Sequence, residues 1–443
     1  MNHSFLFVYL AIVLALYPTP IRAADVNSEP ASPLEIETEK NLTLEHCLEL
    51  AAQYNPNLLQ ASTAFTDAEG KVIGLRSILY PKAQALLIST PLTLYVQVEQ
   101  VLVNRAIAPR LKLGTLAREQ AVVNYQQVLI LAVYHTRQAF SLALARQQEI
   151  KLLQDYLSAN NTTITRANQL FEAGKIQKTE ISRLKVKFNL ASQNLQSAHS
   201  ASHQALLRLG ALMGRKIPDG ATLLGQLGRE DVPSLDLEKL TAEALKNRPD
   251  YQMLKIKNLA QDQQIVLATS SLYPVIGLTA KPTVQAFSLG SEYDPNRNDN
   301  EPGAQRSEGN TQIPVGIYLS WSLFDGGKAQ GIQQSEQAQR IGQQEALEAL
   351  TKSIPGEVRL TATNLETTQQ ILETLILSPS PEKLRQNAEL DFNSGKIRSL
   401  DRLWTEDSIL QQEQLILQTR LNYSLSASAL DLILGRVVQF PDR

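Results

Sequence analysis

The chain alternates between apolar and polar positions in two stretches, and this alternation is the period of a β-strand. In the stronger stretch mostly small or polar residues separate the apolar ones, which are Ile313, Val315, Ile317, Leu319, Trp321 and Leu323. A weaker version runs from Leu92 to Leu102. About eleven residues can cross a bilayer at a tilt. We therefore predict strands over about 82–105 and 275–325, with the apolar set of the second facing lipid.

A long helical pattern follows each strand region. Residues 106–174 and 327–395 are mostly Ala, Gln, Leu and Glu, and an unbroken helix over either span would be ~100 Å long. Such a length predicts a coiled coil or a helical tube. The chain then reverses, so long helices are expected over about 106–213 and 327–434. In the second span, Pro355 and the Pro379/Pro381 pair are expected to kink or break the helix.

This plan occurs twice along the chain. Phe171–Ile176 recurs as Phe392–Ile397, 221 positions later, and the Gly-Arg pairs at 214 and 435 keep the same spacing. A constant spacing of this kind indicates an internal duplication. We predict that repeat 1 covers 41–215, a linker covers 216–234, repeat 2 covers 235–436 and a tail covers 437–443. The predicted tip turns are Gly174, Lys175, Gly395 and Lys396.

The two hairpins differ in length. The Tyr-Pro pairs at 80 and 273 are 193 positions apart, so the second repeat carries 28 extra residues between its helix stop and its last strand. Residues 290–312 are rich in Asn, Asp, Gly and Pro, which predicts a long solvated loop at the tip of the second hairpin. The first hairpin is expected to have a tight turn near Thr90.

Residues 1–23 are typical of a secretory signal peptide, and residues 24–40 of a flexible leader. Thirteen apolar residues run from Phe5 to Tyr17 before Pro18, and Ala23 offers a small residue for cleavage. The n-region has no Lys or Arg, which is atypical. An uncleaved anchor is the alternative, but the run is shorter than the ~18 residues of a spanning helix.

Composition and charge exclude several classes of function. The formal net charge of −2 gives no reason to expect nucleic acid as a partner, and a single cysteine excludes an internal disulfide or a cysteine-based metal cluster. His199 and His203 have ligand spacing on one helical face but lack a third ligand, so a solvated face is the preferred interpretation. No phosphate loop or catalytic motif is present, so we predict no catalytic residue, cofactor or metal, and no enzyme.

The duplicated order of helix, hairpin, very long helix, glycine turn and returning helix resembles the TolC family of outer-membrane export channels. The resemblance covers about residues 41–436, and its most specific pieces are the Tyr-Pro stops, the Ser-Leu-Phe-Asp-Gly-Gly segment at 322–327 and the Phe-x-x-Gly-Lys-Ile segments. It implies a mostly α protein with a small β part, in which three chains form an α-helical tube topped by a 12-stranded transmembrane β-barrel. Oligomerisation also follows from physics, because four strands with open edges cannot span lipid.

The resemblance also implies a function. It predicts a passive exit duct in the outer membrane that extends into the periplasm, serves efflux or type I secretion, and works with a periplasmic adaptor and an inner-membrane pump. Family members narrow at the tip, where acidic residues follow the turn glycine of the second repeat. Asp401 matches the first such position, Trp404 replaces the second acid, and Glu180 is the equivalent in repeat 1. A helix-start role is the alternative interpretation for Asp401 and the preferred one for Glu180.

Two other functions remain open at this point. A periplasmic structural coiled-coil protein would need no amphipathic strands after the Tyr-Pro stops, and a periplasmic enzyme would need a site that the sequence does not provide. The prolines of repeat 2 also leave open a divergent paralogue that no longer conducts. The cargo of a duct cannot be read from these residues.

Overall fold

The computed structural model describes residues 41–89, 92–218, 220–228, 236–281, 283–287, 311–312, 314–377 and 380–436. The predicted signal peptide, leader and tail lie outside the described residues, as do the turn at 90–91 and nearly all of the loop at 290–312. Over the described ranges the chain is mostly helical with a small β part, which confirms the predicted fold class.

The first half of the chain contains four helices and four strands. In chain order these elements are β1 (Asn41–Thr43), α1 (Leu44–Tyr54), α2 (Pro56–Arg76), β2 (Lys82–Ser89), β3 (Leu92–Val103), α3 (Ile107–Glu172), α4 (Lys178–Met213) and β4 (Thr222–Leu224). With 66 residues, α3 is about 100 Å long. The helix break between α1 and α2 falls at Asn55-Pro56, where Asn55 accepts a hydrogen bond from the Asn57 N–H.

The second half repeats this order with more interruptions. Its elements are α5 (Leu237–Asn247), α6 (Pro249–Ser270), β5 (Val275–Ala280), β6 (Thr283–Phe287), β7 (Thr311–Gln312), β8 (Val315–Ser320), α7 (Lys328–Leu377), α8 (Pro381–Asn393) and α9 (Ser399–Leu434). Asp325 starts α7, because its carboxylate accepts hydrogen bonds from the N–H groups of Gly327 and Ala329.

Six strand segments form one antiparallel sheet. β2 pairs with β3, the opposite edge of β3 pairs with β5 and β6, and these pair with β8 and β7 respectively. Since the Lys281 N–H donates to the Pro314 carbonyl, the ladder continues across the gap between the segments. β5–β6 and β7–β8 therefore act as two interrupted strands, and the sheet has four strands in all. A separate parallel pair joins β1 to β4.

The helices form an elongated array below the sheet. α4 packs on α3, α3 packs on α9, and α9 packs on α7 and α8, while the shorter α2 packs on α3 and α6 lies on α3 and α7. The main apolar core lies where α1, α3, α4 and the β4 segment meet, and it includes Phe140, Leu209 and Met213. A second core joins α5, α7 and α9.

Pro355 does not interrupt α7, so of the two predicted effects, a kink or a break, the break is wrong and the kink stays a prediction. The helix runs from Lys328 to Leu377 with Pro355 inside it. Ile354 and Val358, on either side of the proline, are fully buried and belong to the second core. This packing outweighs the loss of one backbone hydrogen bond. The helix does end before Pro381, which occupies the first position of α8.

Candidate functional site

The register of the sheet collects apolar residues of four strands on one face. Residues opposite each other in an antiparallel ladder point to the same side, so the registers define two faces. One face, here called the apolar face, carries Ala83, Ala85, Val96, Val98, Gln100, Ile276, Leu278, Ala280, Val315, Ile317 and Leu319. The other, the polar face, carries Lys82, Gln84, Leu86, Gln97, Glu99, Val101, Val275, Gly277, Thr279, Gly316, Tyr318 and Ser320.

The apolar face is uncovered at its outer strand. The exposed fractions are 72% for Val315, 76% for Ile317 and 65% for Leu319. The predicted set continues into Trp321 and Leu323, which are also exposed, although the strand ends at Ser320. Ile313 lies outside the described residues. A contiguous exposed apolar surface of this kind marks a lipid or protein contact.

Aromatic side chains cluster at the helix end of the sheet. Tyr80 precedes β2, Tyr273 precedes β5, and Trp321 and Phe324 follow β8; all four are exposed. The Trp321 indole N–H donates to the Leu272 carbonyl at 3.0 Å. Exposed Tyr and Trp side chains at the end of a sheet, here Tyr80, Tyr273 and Trp321, are typical of a membrane–water interface, where the ring body is in lipid and the polar group is wet.

The polar face contains side chains that suit a water-filled interior. Gln97 donates to Glu99 on the same strand, and Lys82 lies opposite Glu99 in the ladder. The ring of Tyr318 covers Gly277, since a Cβ added at Gly277 would lie 2.6 Å from that ring. Sequence alternation predicted the apolar face, but it could not assign these pairings across strands.

The two predicted tip turns have the same backbone geometry. Gly174 and Gly395 have φ values of 69° and 74°, in the left-handed region that favours glycine. In each turn the lysine N–H reaches back to a carbonyl five residues earlier: Lys175 to Leu170 at 2.8 Å and Lys396 to Asp391 at 2.9 Å. These are Schellman-type helix ends, and they leave both lysines exposed.

Asp401 lies in the first turn of α9 and has a partner on its own chain. Its carboxylate accepts hydrogen bonds from the Arg398 backbone N–H at 3.3 Å and from the Arg398 Nε at 3.0 Å. The hydrogen bond from the Arg398 side chain is the main reason why the pKa of Asp401 is lowered. Arg398 was not among the predicted gate residues, although an arginine and an aspartate three positions apart on a helix have the spacing of an ion pair.

The other two predicted gate residues lie close to this pair. Trp404, one turn further along α9, has an exposed fraction of 52%. Glu180 is in the first turn of α4, and its negative charge contributes to the raised pKa of Arg398, after the larger effects of Asp401. The structure thus brings Glu180 near the start of α9, which the sequence did not predict.

Two further glycines lie in close contact with the backbone of another helix of the same repeat. These contacts were not predicted from the sequence. Gly214 and Gly435 end α4 and α9 with φ values of 64° and 68°. A Cβ at Gly214 would lie 2.1 Å from the Tyr54 carbonyl oxygen, and one at Gly435 would lie 2.8 Å from the Asn247 backbone. Each returning helix therefore ends against the helix break of its own repeat.

Candidate chemistry elsewhere on the chain is sparse. Among the described residues no group of three or more His, Cys, Asp or Glu could hold a metal. His199 and His203 are exposed and line a groove with Arg215 and Lys216. Cys47 is fully buried, and burial raises its pKa to about 12. α3 contains a window apolar enough to cross a membrane, but 56% of that window is buried inside the protein, as in a core helix.

Comparisons with known proteins agree on one family. Residues 240–436 match the family model of outer membrane efflux proteins. Cobalt-zinc-cadmium resistance protein CzcC of Cupriavidus metallidurans is 22% identical over 450 residues, which cover 98% of this chain and 100% of that protein. Outer membrane protein TolC of Escherichia coli is 21% identical over 312 residues, 70% of this chain and 62% of that protein.

A solved structure shares the fold of this chain. The Campylobacter jejuni CmeC outer membrane channel superimposes with a TM-score of 0.72 at 13% identity, over 88% of this chain and 85% of that one. The chain is thus similar to the outer membrane efflux proteins, in residues 240–436 to their family model and over most of its length to CzcC and TolC.

Proposed function

We propose that this protein is an outer-membrane exit duct that extends into the periplasm. The sheet is the observation that carries the proposal. It has one exposed apolar face, one polar face and several exposed aromatic side chains at the end next to the helices. A soluble sheet would bury its apolar face against another layer. A transmembrane strand instead alternates lipid-facing and lumen-facing residues between aromatic girdles.

The duct is an oligomer of identical chains. Within the described residues, the outer edges of β2 and of β7–β8 have no strand partner, and open edges are not tolerated in lipid. Neighbouring copies would complete the barrel by pairing these edges. Apolar side chains are also exposed on two helices of the array. They are Val186 and Leu190 on α4 and Leu360 on α7, and neighbouring copies would cover them. A homotrimer with twelve strands is the assembly that we propose.

Transport through such a duct is passive. We found no nucleotide-binding or catalytic motif in the sequence, so the energy and the opening signal come from other proteins. We propose a periplasmic adaptor and an inner-membrane pump as partners, with the exposed tip turns at Gly174-Lys175 and Gly395-Lys396 as the part of the chain that faces them.

The cargo class follows from the relative that matches the chain over its full length. That protein is named for cobalt, zinc and cadmium resistance. We propose divalent metal cations as the first cargo to test. The growth of a deletion strain is compared with that of the same strain carrying the restored gene, on graded zinc, cobalt and cadmium. If the deletion strain keeps its metal tolerance and loses tolerance to organic toxins, the metal proposal is wrong and organic compounds are the cargo.

Asp401, Trp404 and Glu180 form the proposed periplasmic gate. Three copies of Asp401 would ring the narrow end, with Trp404 as an apolar constriction. Because Arg398 pairs with Asp401, each copy brings a neutral pair to the ring rather than a bare acid. Arg398→Gln is therefore expected to raise cation selectivity in single-channel recordings, and Asp401→Asn to lower it. If both variants keep the wild-type reversal potential, these residues do not line the pore.

Membrane fractionation tests the proposed location. The mature protein should be recovered with the outer membrane, resist extraction by carbonate, and migrate as an oligomer before boiling. Recovery as a soluble periplasmic monomer would contradict the proposed function and favour a periplasmic coiled-coil protein.

A further inference from the structure

An exposed arginine lies at the end of the sheet next to the helices. Arg105 follows β3, and its guanidinium carbon lies 3.9 Å from the centre of the ring of Tyr273, which precedes β5. β3 and β5 are neighbouring strands in the middle of the sheet, so this contact joins the two repeats of one chain. A cation over an aromatic face is attracted to it, and the contact holds the guanidinium group in place.

The hydrogen-bond donors of Arg105 are available to a ligand. No hydrogen bond or ion pair joins its guanidinium group to another described residue, and the side chain is exposed. A guanidinium group has five N–H donors in a planar fork, which matches the oxygen atoms of a phosphate group. The face of an aromatic ring offers no oxygen acceptor to these donors. Arg105 is therefore a positioned cation without an anionic partner in this part of the chain.

The surroundings of Arg105 belong to the apolar side of the sheet. Val103, two positions before it, lies opposite Ile276 of the apolar face and is itself exposed. Trp321 continues the apolar set of β8, and its indole N–H donates to the carbonyl of Leu272, which is adjacent to the tyrosine that holds Arg105. In the proposed duct, this position is at the level of the lipid headgroups on the periplasmic side.

Basic residues outnumber acidic ones at this end of the sheet. The segments next to the four strand ends are 79–81, 104–112, 271–274 and 321–328. They contain four cations, Arg105, Arg110, Lys112 and Lys328, and one acid, Asp325. The Asp325 carboxylate already accepts hydrogen bonds from two N–H groups at the start of α7. The excess of positive charge attracts anionic lipids to this level of the molecule.

We propose that Arg105 binds the phosphate group of an anionic phospholipid, such as phosphatidylglycerol, in the periplasmic leaflet of the outer membrane. The lipid would cover the exposed rings of Tyr273 and Trp321, whereas a free phosphate ion would leave them uncovered. The site is complete within one chain, because its residues adjoin the middle strands and not the open edges of the sheet. The proposal rests on the proposed membrane-spanning sheet.

Native mass spectrometry of the detergent-solubilised oligomer tests this site. Titration with phosphatidylglycerol should give one tightly bound lipid per chain, at lower concentrations than phosphatidylcholine requires. Arg105→Gln is expected to weaken this binding roughly fivefold, which is the typical contribution of one basic residue to binding of anionic lipid. Tyr273→Phe keeps the ring and should bind like wild type, whereas Tyr273→Leu should weaken binding.

Arg118→Gln is the matched control. Arg118 is also exposed, but it lies on α3 about 20 Å further from the sheet, so its substitution should leave lipid binding unchanged. If Arg105→Gln and Tyr273→Leu both bind phosphatidylglycerol like wild type, the lipid site does not exist. Displacement of the lipid by an equal concentration of inorganic phosphate would overturn the lipid as ligand and assign the site to free phosphate.

Flotation with vesicles of phosphatidylcholine and phosphatidylglycerol separates this proposal from the proposed function. Wild type and Arg105→Gln should both insert into the vesicles. A wild-type protein that inserts but does not prefer phosphatidylglycerol would overturn the lipid site alone. A wild-type protein that does not insert would overturn the proposed duct and the lipid site with it.

Discussion

Two turns of the first repeat depend on a glycine, one at the tip and one at the end of α4. The two glycines are required for different reasons. Gly174 has a positive φ but open space around its missing Cβ, whereas Gly214 has a positive φ and the Tyr54 carbonyl 2.1 Å from that position. Backbone strain applies to both residues, and steric overlap applies to Gly214 alone.

Alanine at the two glycines should therefore have unequal effects. Gly214→Ala is expected to destabilise the protein by roughly 3 kcal/mol or more, against about 1 kcal/mol for Gly174→Ala. Chemical unfolding followed by circular dichroism measures both. Equal losses would show that Gly214 does not pack against the helix break.

An ion pair that joins α5 to the end of α9 should make stability depend on pH. Arg436 binds the Glu243 carboxylate through two nitrogens, at 2.8 and 3.0 Å. This hydrogen bonding lowers the pKa of Glu243. A lowered folded-state pKa stabilises the fold above the unfolded pKa of about 4.3, and this stabilisation is lost as the pH falls through the folded value.

Glu243→Gln is thus expected to lower stability by about 1 kcal/mol at pH 7 and by much less near pH 3. Thermal melts of the variant and of wild type at the two pH values measure the difference. Glu348→Gln, at an exposed pair with Lys352, is the control and should change neither melt. A pH-independent loss at Glu243 would point to packing and not to charge.

Cys47 should be chemically silent in the folded protein. It is fully buried, and a pKa of about 12 leaves almost no thiolate at pH 8. A maleimide should label it only after unfolding in guanidinium chloride. Rapid labelling of the native protein would show that the core around α1 opens readily.

At the scale of elements, the features predicted from the sequence are those that a local pattern of residues determines. Alternation at 313–323 indicated an amphipathic strand, and the repeated Gly-Lys segments indicated the tip turns. The strand is shorter than expected because it ends at Ser320, where Trp321 turns its indole to the Leu272 carbonyl. Contacts between residues far apart in the chain, such as Gly214 with Tyr54, leave no local signal.

Helix α7 shows how packing overrides a local rule. Pro355 removes one backbone hydrogen bond, yet the helix continues because buried side chains flank it. The candidate gate shows the opposite case. Arg398 and Asp401 have the local i,i+3 spacing of an ion pair, whereas the family pattern points to the acid alone.

Asp325 provides a prediction at the element scale. Its carboxylate accepts hydrogen bonds from two N–H groups at the start of α7. Asp325→Ala should cost about 1 kcal/mol, and Asp325→Asn, which keeps one acceptor oxygen, should cost less. Chemical unfolding curves rank the two variants. Equal curves for Asp325→Ala and wild type would show that the cap does not stabilise α7.

At the scale of the whole molecule, the described residues leave large apolar surfaces uncovered. Within these residues, the two outer edges of the sheet have no strand partner, the apolar face is exposed at β8, and α4 and α7 expose apolar side chains. In the assembly that we propose, lipid and further copies of the chain would cover these surfaces together. Because the chain contains two similar strand–helix units, each added copy would contribute two such units to the proposed ring.

The central claim is that the sheet separates lipid from water, and two adjacent residues test it most directly. Spin labels at Ile317→Cys and Tyr318→Cys lie on opposite faces of β8, and buried Cys47 does not compete for labelling. In reconstituted membranes, the label at 317 should collide with oxygen and the label at 318 with a water-soluble nickel chelate. Equal access of the nickel chelate to both positions would contradict a membrane-spanning sheet.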